Sequence, residues 1–419
     1  MIGLNYPPEP TGISPYTGAM AKGLVRREFG TRVLTAHPHY PDWRVRAGYG
    51  QWSRRENIEG VDVVRLRHYV PRKPNGVRRA LSELSFGVRL ATTGWESPDV
   101  IVAVSPALLS TWIAMLRARL TNRRAPTIVW VQDLYGLGLS ETDQGSRGVV
   151  RAINAIERRV LRNASRVIVI HDRFARRVSE DFGIPMDRIE VVRNWTHIPT
   201  PPSVDRVAVR KMLGWRSDET VILHAGNMGV KQGLENVVEA ARLASQRDEN
   251  VRFVFLGGGS EKGRLQELAG SISHVQFLDP LPDDEFVAAL QTADILLVNE
   301  KKGVAEMAVP SKLTSYFNAG KPVLAATDEQ GITAQELRAA RAGVVVPAGD
   351  PAGLLDAAVA LAATSDSART MGENGVRYRH TVLDKETALD RFTEILDSLT
   401  SRRSDDERID VGITERSHK

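Results

Sequence analysis

The chain has 419 residues, of which 42% are hydrophobic and 26% charged, and it contains no cysteine. These are the proportions of a soluble globular protein, they exclude disulfides and thiolate metal sites, and a reducing cytoplasm is the default expectation. The net charge of +5 hides an asymmetry: residues 1–195 carry 30 Lys+Arg against 18 Asp+Glu, which leaves 26 of the 56 basic residues against 33 of the 51 acidic ones. A basic half joined to an acidic half suggests one face that meets nucleic acid, a phosphorylated substrate or a membrane leaflet, although well-solvated faces would look the same.

The length fits two or three domains. Met1 runs directly into "IGLNY", which has neither the basic start nor the cleavage pattern of a signal peptide. The uncharged run at 100–116 falls short of the roughly 20 residues needed to span a bilayer, and Pro106 interrupts it, so it reads as a buried strand, a turn and a buried helix.

Short β-branched runs alternate with helical patterns along the whole chain. Strands are expected at 1–5, 32–36, 61–66, 99–104, 127–131, 166–170 and 189–192, with helices at 15–29, 80–93, 106–121, 148–163 and 173–181. Such alternation implies a parallel sheet covered on both faces. The proline-rich "NWTHIPTPPSVDR" (194–206) then reads as a stiff linker. Beyond it, strands are expected at 220–224, 251–256, 274–277, 294–298, 322–325 and 343–346, with helices at 206–213, 233–246, 261–270, 283–291, 311–319, 333–339 and 351–363. The organisation is therefore a domain over 1–195, a linker over 196–205, a second domain over 206–380, a final helix over 381–400 that packs back toward the first domain, and a polar tail over 401–419 expected to be disordered. Ligands of such sheets bind beyond the carboxyl ends of the strands, so a cleft is expected between two facing domains.

Six strand-end loops carry unusual residues. "NYPPEPTGISPYTG" (5–18) offers Gly12 and hydroxyls near a helix start. "HPHYPDW" (37–43) holds His37 and His39, which without a third ligand read as surface histidines rather than a metal site; beside Tyr and Trp they also suit a sugar. "WVQDLYG" (130–136) puts Asp133 where it either binds a substrate hydroxyl or caps the next helix. "HAGNMGVKQGLENVVEAA" (224–241) has Asn227, Gly229, Lys231 and Gln232 before a helix expected to aim its N–H groups at the loop, yet it matches neither the P-loop nor G-x-G-x-x-G. "LGGGSEKGRLQ" (256–266), with Gly258, suits a backbone contact to a phosphate or base, or is plain structure. In "AEMAVPSKLTSYFNAGKPVLA" (305–325), Pro310 and Ser311 start a helix whose first turn holds Lys312, a placement opposed by the helix dipole unless an anion joins it. Two lysines and two helix starts suit a diphosphate, and the implied chemistry is stabilisation of a leaving phosphate.

These segments, with "HYPDWRVRAGYGQWSRRE", "YVPRKPNGVRRALSELSF", "VQD" and "RNW", make the chain resemble the family 4 glycosyltransferases of the GT-B type, two Rossmann-like α/β domains facing across a cleft. Within that family it looks most like the colanic-acid biosynthesis fucosyltransferase and its O-antigen and capsule relatives, over roughly residues 3–395. The resemblance implies a retaining, metal-independent hexosyltransferase without a permanently bound cofactor. It would move a sugar, of fucose type by that resemblance, from a GDP- or UDP-sugar held by the second domain. The implied acceptor is a polyprenyl-diphosphate-linked saccharide, reached by a basic first domain on the inner face of the plasma membrane. Nucleic acid is not an expected partner. Arg65, Arg67, Arg72, Lys73, Arg78 and Arg79, beside "ALSELSF", are expected at the leaflet.

The family pattern is altered in two places. Its usual Arg and Lys on the leaving diphosphate are replaced by Asn227 and Gln232, and the second of two glutamates by Ser315, with Glu306 one residue off the first slot. Lys231 and Lys312 are expected to supply the missing charge. Asp133 and Glu306 complete the candidate catalytic set, while Gly12, Asn227, Gly229, Gln232, Gly258, Pro310, Ser311 and Ser315 form the candidate donor-binding set. A sugar-nucleotide epimerase of the same architecture and a degenerate, non-catalytic nucleotide-sugar binder are the alternatives. The resemblance also implies a longer first strand than one beginning at Met1 allows.

Overall fold

The structure, a computed structural model, describes residues 1–10, 12–136, 147–195, 204–303 and 311–416, with only the backbone for residues 147, 311 and 402–416. The chain divides into two compact units, Met1–Asn194 with Lys385–Lys419, and Trp195–Asp384.

The first unit holds β1 (Ile2–Gly3), α1 (Ser14–Arg26), β2 (Arg32–Ala36), β3 (Ser53–Ile58), β4 (Val61–Leu66), α2 (Gly76–Thr92), β5 (Ile101–Ser105), α3 (Leu108–Thr121), β6 (Thr127–Val131), α4 (Arg147–Asn163), β7 (Arg166–Val169), α5 (Asp172–Phe182) and β8 (Ile189–Val191). The sheet order is β3-β4-β2-β1-β5-β6-β7-β8. All neighbours are parallel except the edge strand β3, which pairs antiparallel with β4. The polar "SRRENI" of β3 is invisible to a search for apolar runs, because an edge strand with one wet face alternates rather than clusters. Strands β5 and β6 are buried at every position, as expected of a sheet covered on both faces.

The helix α14 (Lys385–Arg416) belongs to this unit. Phe392 packs edge-on against Trp130 at 5.4 Å, and Arg27 of the α1 C-terminus bonds Glu386 at 2.9 Å and Asp390. Helix α14 runs on to Arg416, through the stretch whose composition favours disorder. A packed segment removes the nucleation cost, and the Arg and Glu of the tail are adequate helix formers.

The second unit holds α6 (Arg206–Leu213), β9 (Thr220–Ala225), α7 (Glu235–Gln246), β10 (Val251–Leu256), α8 (Lys262–Ala269), β11 (Val275–Leu278), α9 (Asp283–Thr292), β12 (Ile295–Asn299), α10 (Ser311–Asn318), β13 (Val323–Thr327), α11 (Ile332–Ala340), β14 (Gly343–Pro347), α12 (Pro351–Ala363) and α13 (Ser365–Thr381). Its six parallel strands run β11-β10-β9-β12-β13-β14. Ile222 and Phe253 enter the core on one face, and Leu223 and Val254 the core on the other. Helix α13 lies beyond the expected elements because "SDSARTMGENGVRYRHT" carries two helix-weakening glycines. Packing explains one of them: a Cβ on Gly372 would stand 2.2 Å from the Gly320 carbonyl oxygen.

In this sheet the chain moves outward from β9 through β10 to β11, then returns to β12 on the other side of β9. The strand order reverses between β9 and β12, and the crevice at the carboxyl ends of such a pair is where ligands of open α/β sheets bind.

Candidate active site

The loop after β9 is held in shape by backbone hydrogen bonds. Gly226 N–H donates to Leu256 O at 2.8 Å and Met228 N–H to Gly258 O at 2.8 Å, which ties this loop to the one after β10. The approach is close enough to demand glycine. A Cβ on Gly257 would lie 2.2 Å from the Gly226 carbonyl oxygen, and one on Gly259 would lie 2.3 Å from that of Met228. Two of the three glycines in "LGGGS" are therefore structural, and only Gly258 faces open space. Gln232 Oε1 accepts from Gly229 N–H at 3.0 Å and lies 3.5 Å from Asn227 Nδ2. Asn299, the last residue of β12, donates to the carbonyls of Gln232 at 2.7 Å and Gly233 at 2.9 Å, and Asn236 donates to Asn299 Oδ1 at 2.9 Å. Asn227 and Gln232 thus shape the loop, and neither brings charge.

Helix α7 starts later than the sequence pattern suggests. Residues Val230–Gln232 form a single 3-10 turn, Gly233 is left-handed at φ 53°, and α7 begins at Glu235. The N–H groups of Asn236 and Val237 in its first turn are spent on Gly233 O at 3.2 Å and Leu234 O at 3.0 Å. They do not point into the loop as expected from the sequence, because left-handed Gly233 inserts a turn between loop and helix. That turn carries Lys231, half-buried, whose ammonium has no hydrogen bond or ion pair among the described residues. Lys231 O accepts from Lys301 N–H at 2.9 Å, so the β12 loop, with exposed Lys301 and Lys302, lies alongside.

Lys312 comes from the first turn of α10. Tyr316, one turn on, fixes this helix to the sheet: its hydroxyl accepts from Ala225 N–H at 2.9 Å and donates to Leu297 O at 3.2 Å. The lysine is thereby brought to Gly226, where an added Cβ would lie 3.9 Å from both Lys312 Cε and Nζ. Among the described residues no carboxylate pairs with the ammonium; its contact is His224 Nε2 at 3.5 Å. Burial pulls the Lys312 pKa down to about 8, against the opposing pull of Glu300. Glu300 is occupied by the hydroxyls of Thr327 and of Thr333 at 2.6 Å, and its own carboxyl is raised, chiefly by burial. Lys262 behaves differently from Lys312. It bonds Asp279 at 2.6 Å and Gly257 O at 3.1 Å and so serves the fold.

Ser315 is half-buried on α10. Glu306 and Pro310 lie outside the described residues, as does the Ser311 side chain. Asp133 and Gly12 belong to the first unit, and the lysines to the second. Asp133 follows β6 and accepts from Leu134 N–H at 2.9 Å. The next two amides, Tyr135 N–H at 2.9 Å and Gly136 N–H at 3.2 Å, go to Glu157, a buried carboxyl raised to about 7 by that burial. Gly12 adopts φ 69° ahead of α1.

Two expectations for the first unit are corrected. His37 and His39 are buried, not surface residues: His37 Nε2 meets Gln51 O at 2.8 Å, His39 Nδ1 meets His37 O at 2.9 Å, and His39 stacks edge-on with His68 at 5.0 Å. Buried Glu9 draws the segment inward by accepting from His39 N–H at 2.8 Å and Tyr40 N–H at 2.9 Å. Arg65 is fully buried and cannot meet a leaflet. It pairs with Glu56, donates to Pro7 O, and lies over the Tyr49 ring at 5.3 Å. Arg67, Arg72, Lys73, Arg78 and Arg79 are exposed.

Sequence reasoning passed over His224, Glu300 and Lys301. The signals present were a polar histidine closing an apolar strand and the charged "NEKKG" after β12. Among the described residues no three His, Asp or Glu side chains group closely enough for a metal ion.

Comparison with known proteins bears on the whole chain. Residues 11–195 match the model of a glycosyl transferase 4-like domain, and residues 205–378 that of glycosyl transferases group 1. The putative colanic acid biosynthesis glycosyl transferase WcaI of Escherichia coli (strain K12) is 35% identical over 336 residues, 76% of this chain and 81% of that protein. Among solved structures, sucrose-phosphate synthase from Thermosynechococcus elongatus superposes with a TM-score of 0.73 at 17% identity, covering 96% of this chain and 99% of the other. HepE of Anabaena in complex with UDP and glucose gives 0.69 at 18% identity, covering 95% and 99%. With a relative so similar over most of both lengths and the fold shared, the chain belongs to the family 4 glycosyltransferases and has the GT-B fold.

Proposed function

We propose that the protein transfers a sugar from a nucleoside-diphosphate donor to a lipid-linked saccharide in polysaccharide synthesis, with retention at the anomeric carbon and without a metal. The observation that carries this reading is the Lys312 ammonium, partly desolvated on a half-buried side chain beside the Gly226–Gly233 loop, at the switch point of the second sheet, with no carboxylate partner among the described residues. Burying an ammonium without an acid is costly unless another anion shares the site. A departing diphosphate develops negative charge in the transition state, and a fixed lysine stabilises it without reorganising. Lys231 adds a second cation from the same loop. The sugar complexes of HepE and the name of WcaI support the donor class and the pathway class.

The acceptor side rests on α2. Val77, Leu81, Leu84 and Val88, at i, i+4, i+7 and i+11, form one exposed apolar stripe, and Val77 is 73% exposed. Trp52, 67% exposed, and Tyr69 are exposed nearby in the chain, as are Arg67, Arg72, Lys73, Arg78 and Arg79. An apolar stripe with a basic rim suits an anionic leaflet, where the acceptor lipid resides. No described helix is long and apolar enough to cross a membrane.

A transfer assay with a panel of GDP- and UDP-sugars, with and without EDTA, tests the donor half. The expected result is transfer from one donor that EDTA does not abolish; isomerisation or binding alone would contradict it. Co-sedimentation with vesicles tests the other half. Binding is expected with phosphatidylglycerol and not with phosphatidylcholine alone, and should be lost in Leu81→Glu/Leu84→Glu; equal binding to both vesicles would contradict it.

A further inference from the structure

Among the described residues, the Lys312 ammonium meets a base and not an acid. His224 is fully buried near the carboxyl end of β9, and its Nε2 stands 3.5 Å from Lys312 Nζ and 3.4 Å from Asn227 O. Its Nδ1 is buried and makes no hydrogen bond of good geometry among the described residues, although the Leu297 carbonyl lies close to the ring. Burial first, and the Lys312 charge second, keep the imidazole neutral. Among the described residues, the charged group acting on the lysine is Glu300, whose carboxyl is engaged by Thr327 and Thr333. Burying an imidazole in an apolar strand carries a desolvation cost that leucine would not, so apolar packing does not account for it.

We infer that His224 is a positioning residue of the diphosphate site: its neutral imidazole accepts a hydrogen bond from the Lys312 ammonium and fixes it beside the Gly226–Gly233 loop with its positive charge uncompensated. A carboxylate at this position would hold the lysine equally well and cancel the charge meant for the ligand. The tautomer with hydrogen on Nδ1 presents the Nε2 lone pair to the ammonium. The other tautomer would spend its Nε2–H on Asn227 O and leave the lysine unheld. The inference rests on the reading of this loop as the donor diphosphate site.

Calorimetric titration of inorganic pyrophosphate into the full chain tests it, from neutral to alkaline pH, for the wild type, His224→Gln, His224→Leu and His224→Glu. His224→Leu should bind about tenfold more weakly, the loss of one hydrogen bond to a charged group. It should also melt no lower than the wild type. His224→Gln, which keeps an acceptor, should recover most of the affinity, and His224→Glu should not. Nitrogen-15 shifts of His224 should report the Nδ1–H tautomer, a readout independent of how any variant folds. Wild-type affinity and pH midpoint in His224→Leu, or an Nε2–H tautomer in the native protein, would overturn the inference. A wild type that ignores pyrophosphate would instead overturn the diphosphate reading beneath it.

Discussion

The strand-end loops of the two units use charge in opposite ways. In the first unit, buried charged and acidic groups are spent on protein atoms: Arg65 on Glu56 and carbonyls, Glu9 on the amides of His39 and Tyr40, Glu83 on Leu109 N–H at 2.9 Å, Glu157 on Tyr135 and Gly136. In the second unit, amides and carbonyls hold the Gly226–Gly233 loop in shape, and the lysines there take no acid from the described residues. Charge spent internally rigidifies a loop, whereas charge left uncompensated in a shaped loop is available to a ligand.

The largest effect should come from breaking a spent charge. Arg65→Ala leaves Glu56 and two carbonyls without their donor and should cost about 3–5 kcal/mol of stability by thermal or denaturant melting. Arg78→Ala and Arg79→Ala, both exposed, should fall within about 0.5 kcal/mol. Equal effects would erase the distinction between the buried arginine and the exposed ones.

Breaking an unspent charge should do the reverse. Lys312→Ala should lower kcat by about a hundred- to a thousandfold, the loss of one transition-state donor worth ~2.7–4 kcal/mol. Lys312→Met should melt at or above the wild type, since burial already penalises this ammonium. Lys262→Ala removes a lysine already paired with Asp279 and should leave turnover far closer to normal.

The two kinds of loop also differ in pH response. Lys312 loses its proton above about 8, so affinity for a nucleoside diphosphate should fall as pH rises through 8, with Lys312→Ala flattening that profile. The smallest effect concerns Glu83 and Glu157, both raised to about 7 by burial. Each binds its proton more tightly when folded, so its stabilising contribution is complete below the ordinary value of 4.5 and is lost as pH rises to about 7. The melting temperature should decline over that window, and Glu83→Gln/Glu157→Gln should flatten the decline.

Parallel α/β architecture was legible because both sheets are buried on two faces, which makes β5, β6, β9 and β12 read as predominantly apolar runs. Strand β3 was not legible, since a wet edge strand shows only polar alternation, nor was α13, whose Gly372 serves contact with Gly320. Of the site, Lys231 and Lys312 could be picked out as cations after apolar strands. The contrast with Lys262 could not: Lys312 is brought to Gly226 by Tyr316 hydroxyl bonds to β9 and β12, and Lys262 is neutralised by Asp279, and both are long-range pairings. The burial of His37, His39 and Arg65 was hidden for the same reason, because Glu9 and Glu56 draw them inward from other segments.

The role proposed for the uncompensated lysines of the second unit, Lys312 above all, is to provide the charge that binds the donor diphosphate. Calorimetric affinities of UDP and GDP, each beside its parent nucleoside, for the wild type and Lys312→Ala put that role to the test. One diphosphate should bind the wild type tightly and the variant at least about tenfold more weakly, with nucleoside affinity unchanged. Equal diphosphate affinity in the two proteins would contradict it.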